Sequence, residues 1–352
     1  MSARTSSAAK PSSPAARGSR PASKQGRAGG VRTGVPVTAR VPASSANLGP
    51  GFDTMGLALA VHDVVTVEAL AREAGTPSAQ VEVVGEGAGN VPEGEDHLVV
   101  RSIRAGLERA GVREQPALRL SCVNAIPHGK GLGSSAAAIV AGLVAARGLL
   151  RAPERLDDAT VFTLASVAEG HPDNAAAAAF GGFVVSWFDQ RVPGGTSASG
   201  TPRYVALPVD PRVRVVACVP QEALPTSAAR AMLPATVPHG DAAFTASRAA
   251  LLVEALTRRP ELLLAATEER LHQAQRGPAM PASAGLLRSL RRLGAPAVVS
   301  GAGPSILVLC PSADVVDLVL DEVGRRNEQQ GRWTVLTPDV DTTGGCLVET
   351  SA

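Results

Sequence analysis

Aromatic side chains make up only 3% of this 352-residue chain, with two Trp, one Tyr and six Phe. Its cores must therefore be filled mainly by Val, Leu, Ile and Ala, since apolar residues still reach 45%. Cysteine is equally sparse: Cys122, Cys218, Cys310 and Cys346 stand far apart, with no C-x-x-C pair. That excludes a disulfide framework and a cysteine-built metal cage, and it suits a reducing compartment. No apolar run approaches the ~18–20 residues that a bilayer span needs, so no membrane partner is expected. Acidic residues are missing from the N-terminal segment, which is nonetheless rich in cations. Residues 1–34 hold Arg4, Lys10, Arg17, Arg20, Lys24, Arg27 and Arg32 but no Asp or Glu. Without those seven cations, 27 Lys and Arg face 32 Asp and Glu, so the formal charge of +2 hides an acidic body. No basic face for nucleic acid is expected on such a body.

The segment 1–34 is rich in Ser, Ala, Pro, Gly and Arg. It has too little apolar surface to offset the entropy of ordering, so it reads as a disordered basic tail. It lacks the apolar stretch of a signal peptide, which makes a cytoplasmic protein the expectation. The remaining length suffices for two domains. They are expected over 35–205 and 206–352, with the Gly/Ser/Thr-rich stretch 189–202 as the seam.

The most informative run is Pro127, His128, Gly129, Lys130, Gly131, Leu132, Gly133, Ser134, Ser135, Ala136 and Ala137. It follows a strand-like run, 118–126, and feeds a helix-like run, 136–150. Glycine at alternate positions leaves the backbone free to adopt φ > 0. Ser134 and Ser135 stand where helix N-caps are favoured. The first amides of the helix lack internal acceptors and carry the positive end of its dipole, which together make a phosphate site. Lys130 adds a cation, and a serine hydroxyl is a potential Mg²⁺ ligand. From the glycines alone, a tight and well-capped strand-to-helix turn remains an equal alternative. The spacing fits neither the Walker A loop nor the dinucleotide fingerprint.

Other polar residues cluster in small-residue or turn-like stretches. Residues 43–59 form a Gly/Pro-rich loop carrying Asn47 and Asp53. A helix-like run, 156–168, ends in Glu169-Gly170-His171-Pro172-Asp173-Asn174, which gathers two acids, an imidazole and an amide at a turn. Thr226 and Arg230 share a second turn, and Arg276 closes a helical reading of 261–273 and its extension. An arginine fork suits a carboxylate partner, although a lone arginine in a turn is usually solvated. His97 opens a helix-like run whose apolar positions are Leu98, Val99, Ile103 and Leu107.

Residue for residue, the run from Pro127 to Ala137 resembles the P-x-x-x-G-L-G-S-S-A-A phosphate loop of the GHMP kinases, which phosphorylate small molecules with ATP. The run from Ser44 to Leu59 resembles the first motif of one branch, the homoserine kinases. The hexad 169–174, the T-x-x-A-R element at Thr226–Arg230 and the L-H-Q-x-x-R element ending at Arg276 resemble the same branch. The run Ser300-Gly301-Ala302-Gly303-Pro304-Ser305 is similar to the superfamily's third motif, which closes over the phosphate loop. The resemblance covers nearly all of the chain after the tail. It implies an α+β, two-domain GHMP kinase fold: a first domain like domain 2 of ribosomal protein S5, then a ferredoxin-like domain. It implies ATP on residues 127–137, Mg²⁺ on Ser135 and Glu169, and L-homoserine on Asn47, Asp53, His171, Asp173, Thr226, Arg230 and Arg276. Asp173 and Asn174 would orient the attacking hydroxyl. His97 stands where the family has an Asn that contacts the nucleotide base. A homodimer is also implied. Threonine, mevalonate or shikimate phosphorylation, or an ATP-binding regulator without activity, are the alternatives.

Overall fold

A computed structural model of the chain describes residues 30–72, 77–189, 200–330 and 332–349. Most of the expected tail, 1–29, lies outside the described residues. At its end Val31 bridges Leu150, and the Arg32 guanidinium donates to Gly148 O at 2.8 Å.

The first domain comprises β1 (Val37–Asn47), β2 (Gly51–Leu70), β3 (Ala79–Gly85), α1 (Leu98–Arg109), β4 (Ala117–Asn124), α2 (Ser134–Leu149), α3 (Asp158–Glu169), α4 (Asp173–Phe180), β5 (Phe183–Asp189) and β6 (Thr201–Leu207). The second comprises β7 (Arg214–Pro220), α5 (Thr226–Ala231), α6 (His239–Thr257), α7 (Leu263–Ala266), α8 (Gln273–Arg276), α9 (Pro281–Arg292), β8 (Ala297–Val299), β9 (Ile306–Cys310), α10 (Ala313–Gln330) and β10 (Trp333–Leu336). A last strand, β11 (Cys346–Val348), returns to the first domain and pairs with β1, Thr38 opposite Val348.

The first sheet has seven strands in the order β11-β1-β2-β4-β3, with the β5–β6 hairpin joined to β2; β3 and β4 are its parallel pair. The second has four antiparallel strands in the order β10-β7-β9-β8, the β-α-β-β-α-β pattern of a ferredoxin-like domain. Both domains of the expected α+β fold are present. In β2, Asp63, Val65, Val67 and Ala69 are buried on alternate positions, the period of a half-buried strand. In α1, Val99, Val100, Ile103 and Leu107 form one stripe against α2. Helix α2 is Ala- and Gly-rich and buried on nearly every side. Its small residues let neighbours close in: a Cβ on Gly142 would lie 2.6 Å from Val99 O. Aromatics are confined to a few places, chiefly Phe162, Phe180 and Tyr204 in one cluster. One hydrophobic cluster runs from the first sheet into the second domain through Val215, Val219, Leu252 and Leu309. Truncating a fully buried member such as Leu143 to Ala costs about 2–5 kcal/mol. Burial pushes the Cys122, Cys218 and Cys310 thiols up to about 12, as befits small core residues.

The structure departs from several sequence expectations. The stretch 43–59 is no loop: it forms the paired ends of β1 and β2, closed by a turn at 48–50. Small residues there read as loop, yet they are what lets the strand ends pack under α2 and α4. At the two ends of the seam expected over 189–202, Asp189 and Thr201 are instead paired across the β5–β6 hairpin, with Phe183 opposite Leu207, so the chain leaves the first domain only after Leu207. Residues 190–199 lie outside the described residues. The helix expected over 261–273 is broken into α7 and α8, because the Glu269 carboxylate accepts from the amides of Leu271, His272 and Gln273 and turns the chain there. Among the described residues no helix is long and apolar enough to cross a membrane.

Candidate functional site

The loop between β4 and α2 takes its shape from its glycines. Gly129, Gly131 and Gly133 have φ of 66°, 78° and 70°. At two of them the lack of a side chain is also a matter of space. A Cβ on Gly131 would lie 2.3 Å from Ser300 O, and one on Gly133 2.0 Å from Ser44 Oγ. Gly133 itself caps α2, with left-handed backbone and no side-chain cap. Ser134 and Ser135, expected as caps, therefore begin the helix, and their hydroxyls are free of capping duty. Ser135 Oγ donates to Glu169 Oε1 at 2.5 Å. The run 300–305 closes over the loop as expected: Ser300 Oγ donates to Gly131 O at 2.6 Å and Ser305 N to Lys130 O at 3.2 Å.

Opposite the loop stand side chains from four separate segments. Asp173 opens α4 and is 1% exposed; its Oδ1 accepts from Asn174 N at 2.7 Å and meets His171 Nδ1 at 3.1 Å. Burial works against a charge on His171, but the bond to Asp173 and the surrounding carboxylates outweigh it and raise its pKa. Burial likewise raises the pKa of Glu169, against the hydrogen bond from Ser135. Asn174 Oδ1 accepts from Ser44 Oγ at 2.9 Å. From the second domain, Arg230 grips Asp53 in a two-pronged pair, 2.6 Å and 3.1 Å. Asp53 holds φ of 55° and Asn47 φ of 69°, strained backbone at a turn that aims both side chains. Asn47 is spoken for on both sides: its Nδ2 donates to Gly301 O at 2.7 Å and its Oδ1 accepts from Asp53 N at 2.9 Å. It thereby ties Asp53 to the third motif.

Arg276 is the anomaly. Its guanidinium is 1% exposed, yet it meets only neutral groups, Gly301 O and His272 Nδ1, both at 3.2 Å, and its Nε has no partner. Burial and the nearby Arg230 charge lower its pKa. The Asp53 and Glu269 carboxylates oppose that shift without bonding to the guanidinium, and a buried cation with no bonded counter-ion is costly unless an anion arrives.

These groups line one cavity of about 380 Å³, shared by Gly129, Gly131, Gly133, Ser134 and Ser135 with Asn47, Asp53, Glu169, His171, Asp173, Asn174, Thr226, Arg230 and Arg276. A second, more apolar cavity of about 250 Å³ meets the first at Ser134 and Ser135 and contains His97 and His128. His97 Nδ1 is buried there without a partner, and burial first, then the His128 charge, lowers its pKa. Five residues of the expected phosphate loop line neither cavity. Pro127, Leu132, Ala136 and Ala137 are buried and shape the loop from below. The Lys130 side chain lines neither space.

Three contributors were missed in the sequence. Ser44 fixes Asn174. Gly301 receives both Asn47 and Arg276. Phe52 lies between two cations, 5.7 Å from Arg230 Cζ and 5.5 Å from Arg276 Cζ. Phe52 and Gly301 sit inside quoted motifs, so their place was visible; their partners are not sequence neighbours, Asn47 being 254 positions from Gly301 and Arg276 being 25, and were not.

Among known families, that of the GHMP kinases N terminal domain matches residues 97–182, and that of the GHMP kinases C terminal domain matches 247–329. The homoserine kinase of Rhodococcus opacus is 51% identical over 290 residues, 81% of this chain and 90% of that protein. The homoserine kinase of Mycolicibacterium smegmatis is 54% identical over 280 residues, 78% and 85% of the two chains. A crystal structure of homoserine kinase from Cytophaga hutchinsonii superposes with a TM-score of 0.75 at 23% identity, covering 89% of this chain and 97% of that one, which is a likeness of fold.

Proposed function

The chain belongs to the GHMP kinases, among the homoserine kinases, and on that premise we propose that it transfers the γ-phosphoryl group of ATP to the hydroxyl of L-homoserine. The products are ADP and O-phospho-L-homoserine, a step of threonine biosynthesis. The observation that carries this reading is the Arg276 guanidinium, buried without an anion in the same cavity as a glycine loop at a helix N-terminus. One end of the cavity suits phosphate and the other suits a carboxylate.

Phosphoryl transfer asks for positioning and charge neutralisation more than for covalent help. The amides of 129–135 hold the phosphates, with the base in the cavity that contains His97. Ser135 and Glu169 would hold Mg²⁺. The fit rests on donor chemistry: a half-buried carboxylate whose pKa desolvation raises, 2.5 Å from a hydroxyl beside the loop. Among the described residues no group of three or more His, Cys, Asp and Glu gathers to hold a metal, so the remaining positions fall to phosphate oxygens and water. When bound, Mg²⁺ neutralises charge on the transferring phosphates.

Arg276 and Arg230 take the substrate carboxylate. Arg230 is already paired, so the carboxylate displaces Asp53 from it and Asp53 turns to the ammonium group. Thr226, at the start of α5, faces the same space. The hydroxyl oxygen then attacks the γ-phosphorus directly; the new P–O bond forms as the bond to the β-phosphate oxygen breaks, and the hydroxyl proton leaves with the phosphoryl group. Asp173 is poorly placed to take the proton, since its Oδ1 is taken by His171 and by Asn174 N, and the pairing favours the charged form of His171. Asp173 and Asn174 orient the hydroxyl instead. A homodimer in the cytoplasm completes the reading.

The test is ADP release with Mg-ATP against L-homoserine, L-threonine, L-serine, mevalonate and shikimate. Selective turnover of L-homoserine is expected. Preference for mevalonate or shikimate would discard the carboxylate-and-ammonium site, and no turnover with retained ATP binding would discard the kinase.

A further inference from the structure

We propose that His272 is a positioning residue for substrate binding: as a neutral ring it accepts the hydrogen bond that aims Arg276, and it ties that guanidinium to the turn between β1 and β2. The inference rests on Arg276 serving as a clamp for the substrate carboxylate.

His272 is 0% exposed and precedes α8. Its Nε2 lies 2.8 Å from Gly49 O and its Nδ1 lies 3.2 Å from Arg276 Nη1. A carbonyl can only accept and a guanidinium can only donate. The ring proton therefore sits on Nε2, and Nδ1 is a bare acceptor. A second ring proton would set an N–H against an N–H beside a cation. Burial lowers the His272 pKa and keeps the ring in the neutral form that this geometry requires. Around it, Glu269 Oε2 is 3.8 Å from Nε2 but is engaged by backbone amides, and the Phe52 ring lies 5.0 Å away, centroid to centroid.

The geometry leaves Arg276 few other supports. Its Nη1 has Gly301 O besides His272, and its Nε has nothing. Gly49 is in turn fixed, with φ of 82° and a Cβ position 2.8 Å from Thr267 O. His272 thus carries the position of a rigid turn, the one that also presents Asn47 and Asp53, to a long and otherwise loose side chain. A guanidinium that must meet a carboxylate at two points needs such an anchor.

Two substitutions separate the ring's two bonds. His272→Asn keeps an acceptor at the Nδ1 position and loses the donor to Gly49; His272→Gln keeps the donor and loses the acceptor. The KM for L-homoserine should rise about tenfold in His272→Gln, less in His272→Asn, with the KM for ATP unchanged in both. In a double-mutant cycle with Arg276→Lys, adding His272→Gln should cost little more, because the interaction is already gone. An equal rise in both variants, or equal changes in both KM values, would mean that His272 only supports the fold. If Arg276→Lys itself leaves the homoserine KM unchanged, it is the carboxylate clamp that fails. Nitrogen-15 spectra of the unaltered enzyme do not depend on any variant folding: they should show a protonated Nε2 and a bare Nδ1 at His272, and the opposite tautomer overturns the proposal.

Discussion

The two walls of the main cavity are made by different means. The wall proposed for phosphate is one contiguous stretch of backbone, curled by Gly129, Gly131 and Gly133 and roofed by 300–305. The wall proposed for the substrate is a set of charged side chains, Asp53, His171, Asp173, Arg230 and Arg276, drawn from both domains. A backbone wall is complete before any ligand arrives, and its amides cannot be exchanged for others. The side-chain wall instead holds a provisional arrangement, with Asp53 on Arg230 and only neutral partners on Arg276. Shape therefore decides on one side and exchange of partners on the other.

The sharpest way to break the comparison is to put one methyl group into the backbone wall. Gly131→Ala would place a Cβ 2.3 Å from Ser300 O and 2.8 Å from Gly303 O, at φ of 78°. Both obstacles are backbone, so the loop must move. The kcat/KM for ATP should fall on the order of 100-fold, as expected of a few kcal/mol of strain at the loop. The KM for L-homoserine should stay within about threefold. Steady-state kinetics in each substrate decide it, and a larger effect on homoserine than on ATP would refute separate walls.

The same contrast explains what the sequence disclosed. The phosphate loop is legible because its chemistry lies within eleven consecutive residues, Pro127 to Ala137. Even there the serines were placed one step wrong, since only the φ of Gly133 shows which residue caps α2. The substrate wall was named through resemblance, not from spacing. Asp53 and Arg230 are 177 positions apart, and no local pattern announces that they pair. Small residues at 43–59 were misread as loop because their reason is tertiary: Gly56 faces Asp173 O, where a Cβ would lie 2.4 Å away. The ends of the β5–β6 hairpin were misread as part of a seam because the Gly/Ser-rich sequence between them resembles a linker. The return of β11 to β1 carries no signal in its three residues.

Removing a cation tests the other wall. Arg230→Ala should raise the KM for L-homoserine by about 10–100-fold, the scale of a lost charged, two-pronged hydrogen bond. The KM for ATP should not follow. Stability should change little, by less than about 1 kcal/mol, because the Arg230–Asp53 pair is 39% and 35% exposed and water screens it. Calorimetry beside kinetics separates the two effects. An unchanged homoserine KM would show that Arg230 serves only Asp53.

The smallest effect on catalysis is expected beneath both walls. Asp341 sits in the segment that brings β11 back, and its carboxylate accepts from Thr343 N at 2.9 Å and Gly344 N at 2.7 Å and meets His62 Nε2 at 2.7 Å. That turn packs under α4, where a Cβ on Gly344 would lie 2.4 Å from Ala179 O. Burial works to raise the Asp341 pKa, but the two amides and His62 outweigh it and hold the group below 3.8. A folded pKa below the unfolded one means that the charge stabilises the fold above pH 3.8, and that this stabilisation is lost as the pH falls through the lower, folded value. Asp341→Asn should therefore lower Tm by about 2–4 °C at neutral pH. The gap to the unaltered chain should close in acid, below pH 3.8. Neither KM should move, because the residue touches neither wall. A gap that is the same at both ends of the pH range would mean that shape, not charge, holds the turn. A shift in the homoserine KM would mean that the support under α4 reaches Asp173, and the substrate wall would then depend on the scaffold as closely as the phosphate wall does.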